Sequence, residues 1–169
     1  TGAGFAGAAI VRPGKLDAET ANFAGADLSN VHVRNYSGGF AGSTLVNFSC
    51  TDCELKNEDM AGVDLTGATL NRVDLRGANL SGAKLTGARV TLTDLSEANL
   101  SGAVLDNLNP GRLEGDVYCH DNPDKGRCAR YPMRRANLTG ASAKGANLSF
   151  FTLDESDLSK VILDGAILN

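Results

Sequence analysis

The chain has 169 residues and a mass of 17.5 kDa, which fits one domain, and 42% of its residues are hydrophobic, enough for a buried core. Only 5% are aromatic and none is Trp, whereas 20 are Gly, a composition that indicates a narrow, regular core rather than the core of a typical enzyme. The net charge of −4 does not favour nucleic-acid binding, which needs a basic face, and falls short of the strongly acidic surface of a DNA mimic. No apolar run reaches the ~18 residues of a membrane span.

The N-terminal part contains large apolar residues five positions apart, interrupted once. They are Phe5, Ile10, Phe23, Leu28 and Val33. Between them, residues 11–20 (VRPGKLDAET) predict an irregular segment with Asp17 as the cap of a short helix. A slip of two residues between Val33 and Phe40 predicts a bulge or a wide corner.

The central part has an unbroken period of five. The positions are Phe40, Leu45, Cys50, Leu55, Met60, Leu65, Leu70, Leu75, Leu80, Leu85, Val90, Leu95, Leu100 and Leu105. Two places earlier most residues are small, with Phe48 and Glu58 as the exceptions, and two places later Gly recurs. The same grid returns in a new frame from Leu138 to Leu168.

A period of five fits neither a helix of 3.6 residues per turn nor a strand that alternates its faces every two residues. The chain must therefore turn a corner within each five residues, so that every fifth large residue and the small residue two places before it point inward. Gly two places after the large residue supplies the backbone freedom that a corner needs, and Asp or Asn before it suits turn hydrogen bonds.

The runs ANLSGAKLTGA, VDLTGATL, VDLRGANLSGA, ANLSGAVL and ANLTGA resemble the pentapeptide-repeat family, whose motif is summarised as A(D/N)LXX. The resemblance implies an all-β fold, a right-handed quadrilateral β-helix with four pentapeptides per coil. We expect residues 1–169 to form one such domain of about six to seven coils, with irregular segments at 11–20 and 108–135.

Residues 108–135 form the clearest break and contain three of the four prolines, which predicts a long inserted loop. The alternatives are a solvated excursion and a loop that contacts a protein partner. The predicted partner-contact residues are Arg112, Tyr118, Arg127, Arg130, Tyr131, Arg134 and Arg135.

Four cysteines are present. A disulfide between Cys119 and Cys128 within the inserted loop is favoured and implies an oxidising compartment. Cys50 and Cys53 both point inward on either side of one corner, so they are either two buried thiols or a short-range disulfide. The spacing of Cys119, His120 and Cys128 matches no common zinc pattern, so no metal site and no cofactor are expected.

A filled β-helix has outward side chains that diverge, whereas catalysis needs converging groups in a cleft. We therefore predict a protein that is not an enzyme but a structural or protein-binding module, acting through its flat faces and the 108–135 loop. The alternatives are a redox-responsive regulator that uses its Cys pairs and, less favoured, a DNA mimic that inhibits a topoisomerase, as some relatives of this family do. The expected partner is an unknown protein, with no nucleic acid and no membrane span, and the chain is a monomer or a weak end-to-end oligomer.

The sequence begins at Thr1 rather than Met, which favours a processed or trimmed form. Its size and cysteines are similar to those of the plant thylakoid-lumen members of the family, of about 17 kDa. The resemblance therefore implies the chloroplast thylakoid lumen, with a bacterial periplasm as the alternative.

Overall fold

The computed structural model describes residues 9–10, 32–34, 40–111, 131–149 and 151–168. The described residues contain short strands and turns and no helix, so none of them forms an apolar helix that could cross a bilayer. The described part of the chain forms seven strands: β1 (Ala9–Ile10), β2 (His32–Arg34), β3 (Ser49–Thr51), β4 (Thr69–Asn71), β5 (Arg89–Thr91), β6 (Tyr131–Pro132) and β7 (Phe151–Thr152).

The strands pair in parallel and in chain order, β1 to β5 in one sheet and β6 with β7 in another. Cys50 pairs with Leu70 and Leu70 with Val90. The Asn79 and Asp59 side chains bond across the same separation, |i−j| = 20, so each regular coil contains four repeats of five. The architecture is a right-handed β-helix, the hand that parallel crossovers adopt. The predicted fold is confirmed.

The four faces of the coil follow from this register, and each face carries one column of stacked axial residues. Face 1 holds Phe40, Met60, Leu80, Leu100, Leu138 and Leu158; face 2 holds Leu45, Leu65, Leu85, Leu105, Ala143 and Leu163; face 3 holds Cys50, Leu70, Val90, Pro110, Leu148 and Leu168; face 4 holds Leu55, Leu75, Leu95, Met133 and Leu153.

The axial positions form the core. All fourteen positions predicted between Phe40 and Leu105 are 0–1% exposed, and the small residues two places earlier pack beside them. Phe48, an exception to the small pattern, is also buried and lies edge-to-face against Phe40, with 5.3 Å between the ring centroids. Exposure rises in the last described coil, where Leu158 is 41% and Leu168 is 53% exposed.

Backbone hydrogen bonds join each coil to the next. The Leu65 N–H donates to the Lys84 carbonyl at 2.7 Å, and the Lys84 N–H donates to the Val63 carbonyl at 2.9 Å. Most corners are closed by a second bond, such as that from the Ala83 N–H to the Leu80 carbonyl at 3.0 Å. Inter-coil pairing therefore satisfies the backbone of this narrow core.

The residue two places after the axial residue adopts a positive φ at these corners. Gly67 has φ +68°, a conformation that favours Gly, and an added Cβ would also meet the side-chain oxygen of Asn47 in the coil below. Around Gly82, at φ +64°, no atom lies within 4 Å of the place that an added Cβ would take. Corners with the same backbone therefore differ in the space they leave for a side chain.

The corners that follow Cys50, Leu70 and Val90 on face 3 lack the second bond that closes most corners. So does the corner after Met133 on face 4, where the Ala136 N–H donates to the Ser156 hydroxyl at 3.2 Å. Among the described backbone groups, no N–H three places later donates to the carbonyls of Cys50, Leu70 and Val90. The small position after each of them carries a larger residue than the usual Ala: Cys53, Val73 and Thr93. The Thr93 hydroxyl donates to the Leu70 carbonyl at 3.2 Å, so a side chain takes the place of the missing backbone donor.

The break predicted at 108–135 is narrower than the sequence suggested. Leu108 and Pro110 are buried on one side of it, and Met133 takes the axial place on face 4 on the other side, at 0% exposure. Asn99 pairs with Asn137, whereas an uninterrupted repeat would pair it with position 119, so the insertion shifts an otherwise regular coil. The motif is lost at both edges because Pro and Met replace Leu, although both fill the axis.

The N-terminal register also differs from the central one. Ala9 pairs with His32, which makes a coil longer than the regular one, and Val33 pairs with Cys50, which makes a shorter coil. The shorter coil corresponds to the irregular spacing that the sequence shows between Val33 and Phe40. The segment predicted at 11–20 lies outside the described residues.

Candidate protein-interaction surface

The outward side chains form straight rows, because the residue before each axial position points away from the core and stacks on its equivalent in the next coil. On face 1 this row is Asp59, Asn79, Asn99, Asn137 and Asp157. The Asn79 amide donates to Asp59 at 2.9 Å, and the Asn99 amide donates to Asn79 at 3.3 Å. The side-chain oxygens of Asp59, Asn79 and Asn99 each also accept a hydrogen bond from the backbone N–H two residues later, which holds these side chains against the face.

The corresponding row on face 4 starts with three stacked carboxylates, Glu54, Asp74 and Asp94. Arg76 donates from Nε to the Asp74 carboxylate at 2.8 Å and approaches Asp94 at 3.9 Å. The hydrogen bonds from Arg76 hold the pKa of Asp74 below its usual value of 3.8. Asp74 therefore stays ionised at neutral pH.

A ladder of opposite charges follows the corner between faces 4 and 1. Arg135 donates from Nε to Glu155 at 2.8 Å in the next coil and reaches Glu97 at 3.7 Å in the previous one. Arg134 donates to Asp154 at 2.9 Å. These side chains are 59–69% exposed, so the pairs contribute little to stability and remain open to a partner.

Charge is distributed unequally around the rod. The side formed by the row of face 4, the corner between faces 4 and 1 and the row of face 1 carries nine acidic and four basic described side chains, a net charge of −5; we call it the acidic side. Its members are Glu54, Lys56, Glu58, Asp59, Asp74, Arg76, Asp94, Glu97, Arg134, Arg135, Asp154, Glu155 and Asp157. The other described side chains include four acidic and five basic residues, a net charge of +1.

Cys50 and Cys53 form a disulfide, with their Cα atoms 6.1 Å apart. Of the two alternatives that the sequence left open, the structure has the short-range disulfide. The bridge closes one of the face 3 corners that has no backbone turn bond, and both residues are 0–1% exposed. Arg72 pairs with Asp52 at 2.8 Å across the outside of the same corner and thereby ties it to the next coil.

The remaining predicted site residues are distributed over two environments. Arg134 and Arg135 belong to a regular coil rather than to an irregular loop, because Met133 resumes the repeat just before them, and Tyr131 starts strand β6. The other predicted residues lie outside the described part of the chain: Arg112, Tyr118, Cys119, Arg127, Cys128 and Arg130. The Cys119–Cys128 disulfide therefore stays a prediction.

The inter-coil ion pairs were missed in the sequence, although a signal for them exists. Asp52 and Arg72, Asp64 and Lys84, and Arg135 and Glu155 are each separated by one regular coil length, |i−j| = 20. A search for complementary charges at the coil length would have found them. Recognising the unequal distribution of charge between the sides from the sequence requires the same coil register.

The fold can be compared with those of known proteins. Two trypsin-treated forms of QnrB1, described as a plasmid-mediated fluoroquinolone resistance protein, are each 22% identical to this chain. Both matches cover 87% of this chain. They cover 78% and 76% of the two QnrB1 chains, with TM-scores of 0.51 and 0.52 respectively. A pentapeptide repeat protein of the Arabidopsis thaliana thylakoid lumen is 25% identical over 68% of this chain and 64% of its own, with a TM-score of 0.42.

A comparison with curated proteins finds no match. The family described as Pentapeptide repeats matches in eight copies at residues 59–96, 74–109 and 133–169, which together make up just over half of the chain. The chain belongs to the pentapeptide-repeat family.

Proposed function

We propose that this protein is a non-enzymatic, protein-binding module that acts through the flat faces of its rod, above all the acidic side, and through the inserted segment with Arg112, Tyr118, Arg127 and Arg130. The observation that carries the proposal is the filled axis. From Phe40 to Leu105 every axial side chain is buried and no charged side chain is, so the charged groups of these coils lie on outward, diverging walls. Such walls suit contact with another surface better than enclosure of a small substrate.

The charge of the acidic side supports a partner with a basic protein surface. Its net charge of −5 would attract such a surface and speed its approach, whereas a nucleic-acid backbone would be repelled. Exposed charges act mainly on association and are screened by salt, with a Debye length of about 8 Å at physiological ionic strength. We therefore expect binding to weaken as salt rises.

The test is retention of proteins from an extract of the native compartment on the immobilised chain. A variant with Glu54→Gln, Asp94→Asn and Glu97→Gln removes three charges from the acidic side and leaves the Arg134 and Arg135 pairs with the next coil in place. The control removes one charge of each sign elsewhere and leaves the net charge unchanged, with Lys144→Gln and Asp164→Asn.

The proposal expects one or more proteins to be retained by the intact chain and by the control, and lost from the acidic-side variant. Equal retention by all three chains would rule out the acidic side as the binding surface. If the intact chain retains no protein at any salt concentration, the binding role itself is wrong.

The contribution of the inserted segment can be measured separately, because the register defines a deletion that preserves the repeat. Removing residues 113–130 takes out as many positions as the insertion adds and leaves Arg112 directly before Tyr131, which restores the regular coil length. If the deleted chain folds and still retains the partner, the segment is not the contact. Loss of the partner with an unchanged circular dichroism spectrum assigns the contact to the segment.

A redox-responsive regulator is the second candidate, and the Cys50–Cys53 disulfide favours it. Both cysteines are almost fully buried, so a reductant must wait for the corner to open. The candidate requires reduction to change partner retention under native conditions, and an unchanged retention profile after complete reduction would exclude it. The less favoured DNA-mimic role is tested by a gyrase supercoiling assay, in which the protein would have to inhibit supercoiling.

The disulfide also supports an oxidising compartment as the site of action. We propose the thylakoid lumen, with a bacterial periplasm as the alternative. Fractionation of a plant chloroplast, followed by detection of the protein in lumen and stroma, would distinguish the first from a reducing location.

A further inference from the structure

We draw no further inference here: the strongest candidate, the apolar surface of Leu153, Leu158, Leu163 and Leu168 on the outermost described coil, is an unpartnered face, and nothing in the structure shows what covers it.

Discussion

The stacked axial column makes one quantitative prediction, which compares two leucines at the same repeat position. Leu80 is fully buried on face 1 between Met60 and Leu100, whereas Leu158 occupies the same column and is 41% exposed. Replacing Leu80 by Ala leaves a hole that cannot collapse easily, because the coils above and below are held by their backbone hydrogen bonds. We expect a loss of about 3–5 kcal/mol in the free energy of unfolding.

Leu158→Ala is the matched control. It removes the same atoms from a site that keeps part of its contact with water, so the expected loss is about 1–2 kcal/mol. Urea unfolding followed by circular dichroism measures both values, provided that the free energy of unfolding depends on urea concentration with the same slope in the two variants. Equal losses, or a larger loss for Leu158→Ala, would refute a continuous, tightly packed axis.

Three further predictions concern the corners and the charged rows. Reducing the Cys50–Cys53 bridge should lower the free energy of unfolding by about 2 kcal/mol, the entropic contribution of closing so small a loop. The rate of reduction should rise with urea concentration because both cysteines are buried. A rate that does not depend on urea would contradict that burial. Gly67→Ala should destabilise the protein more than Gly82→Ala. Both glycines have a positive φ, but of the two only Gly67 lacks space for an added Cβ. Equal unfolding midpoints in urea would contradict this prediction and show that the Asn47 side chain moves aside. The pKa of Asp74 is lowered in the folded state, so its carboxylate stabilises the fold above the usual value of 3.8, and this contribution is lost as pH falls through the folded value. The loss of unfolding free energy caused by Asp74→Asn should therefore be constant above about pH 5 and shrink below it. A loss that stays the same from about pH 2 to 7 would contradict the assignment.

The core could be predicted from the sequence because its signal is local and repeated. Leu80 and its neighbours are identifiable from their spacing alone, and a period of five leaves few alternatives to a coil with corners. Even the exception at Phe48 is consistent with that signal, since the ring fills the axis beside Phe40 instead of leaving it. Patterning of this kind determines the fold class before any detail of packing is known.

The edges of the insertion could not be predicted because the motif describes typical residues and not the space that they fill. Pro110 and Met133 depart from the motif, and Pro also suggests a turn, yet both are buried at axial positions. Packing against the neighbouring coils decides such positions, and that packing depends on residues that are distant in the sequence.

The state of Cys50 and Cys53 was open for a different reason. A thiol and a half-cystine are both small and apolar, so an inward position fits either one. Only the geometry of the corner, with Cα atoms 6.1 Å apart, brings the sulfur atoms together.

The acidic side depends on the coil register in the same way. Arg135 and Glu155 are one regular coil length apart, whereas Glu97 and Arg135 become neighbours only when the inserted residues are excluded from the repeat count. A sequence-wide net charge of −4 hides a difference of six charges between the two sides of the rod.

The central claim is that the coils stack without interruption and that the insertion adds no coil. Pulsed electron resonance between spin labels at Ala41 and Ser159 tests it, in a chain with Cys119 and Cys128 replaced by Ser. Both positions are exposed, and each directly follows an axial residue of face 1, so they lie in one column along the axis of the rod. Five coil steps of ~4.8 Å predict a narrow distance distribution at about 24 Å, the same in the intact chain and in the chain without residues 113–130. A broad distribution, or a distance that changes with the deletion, would contradict the stacked rod and with it the case for a binding module.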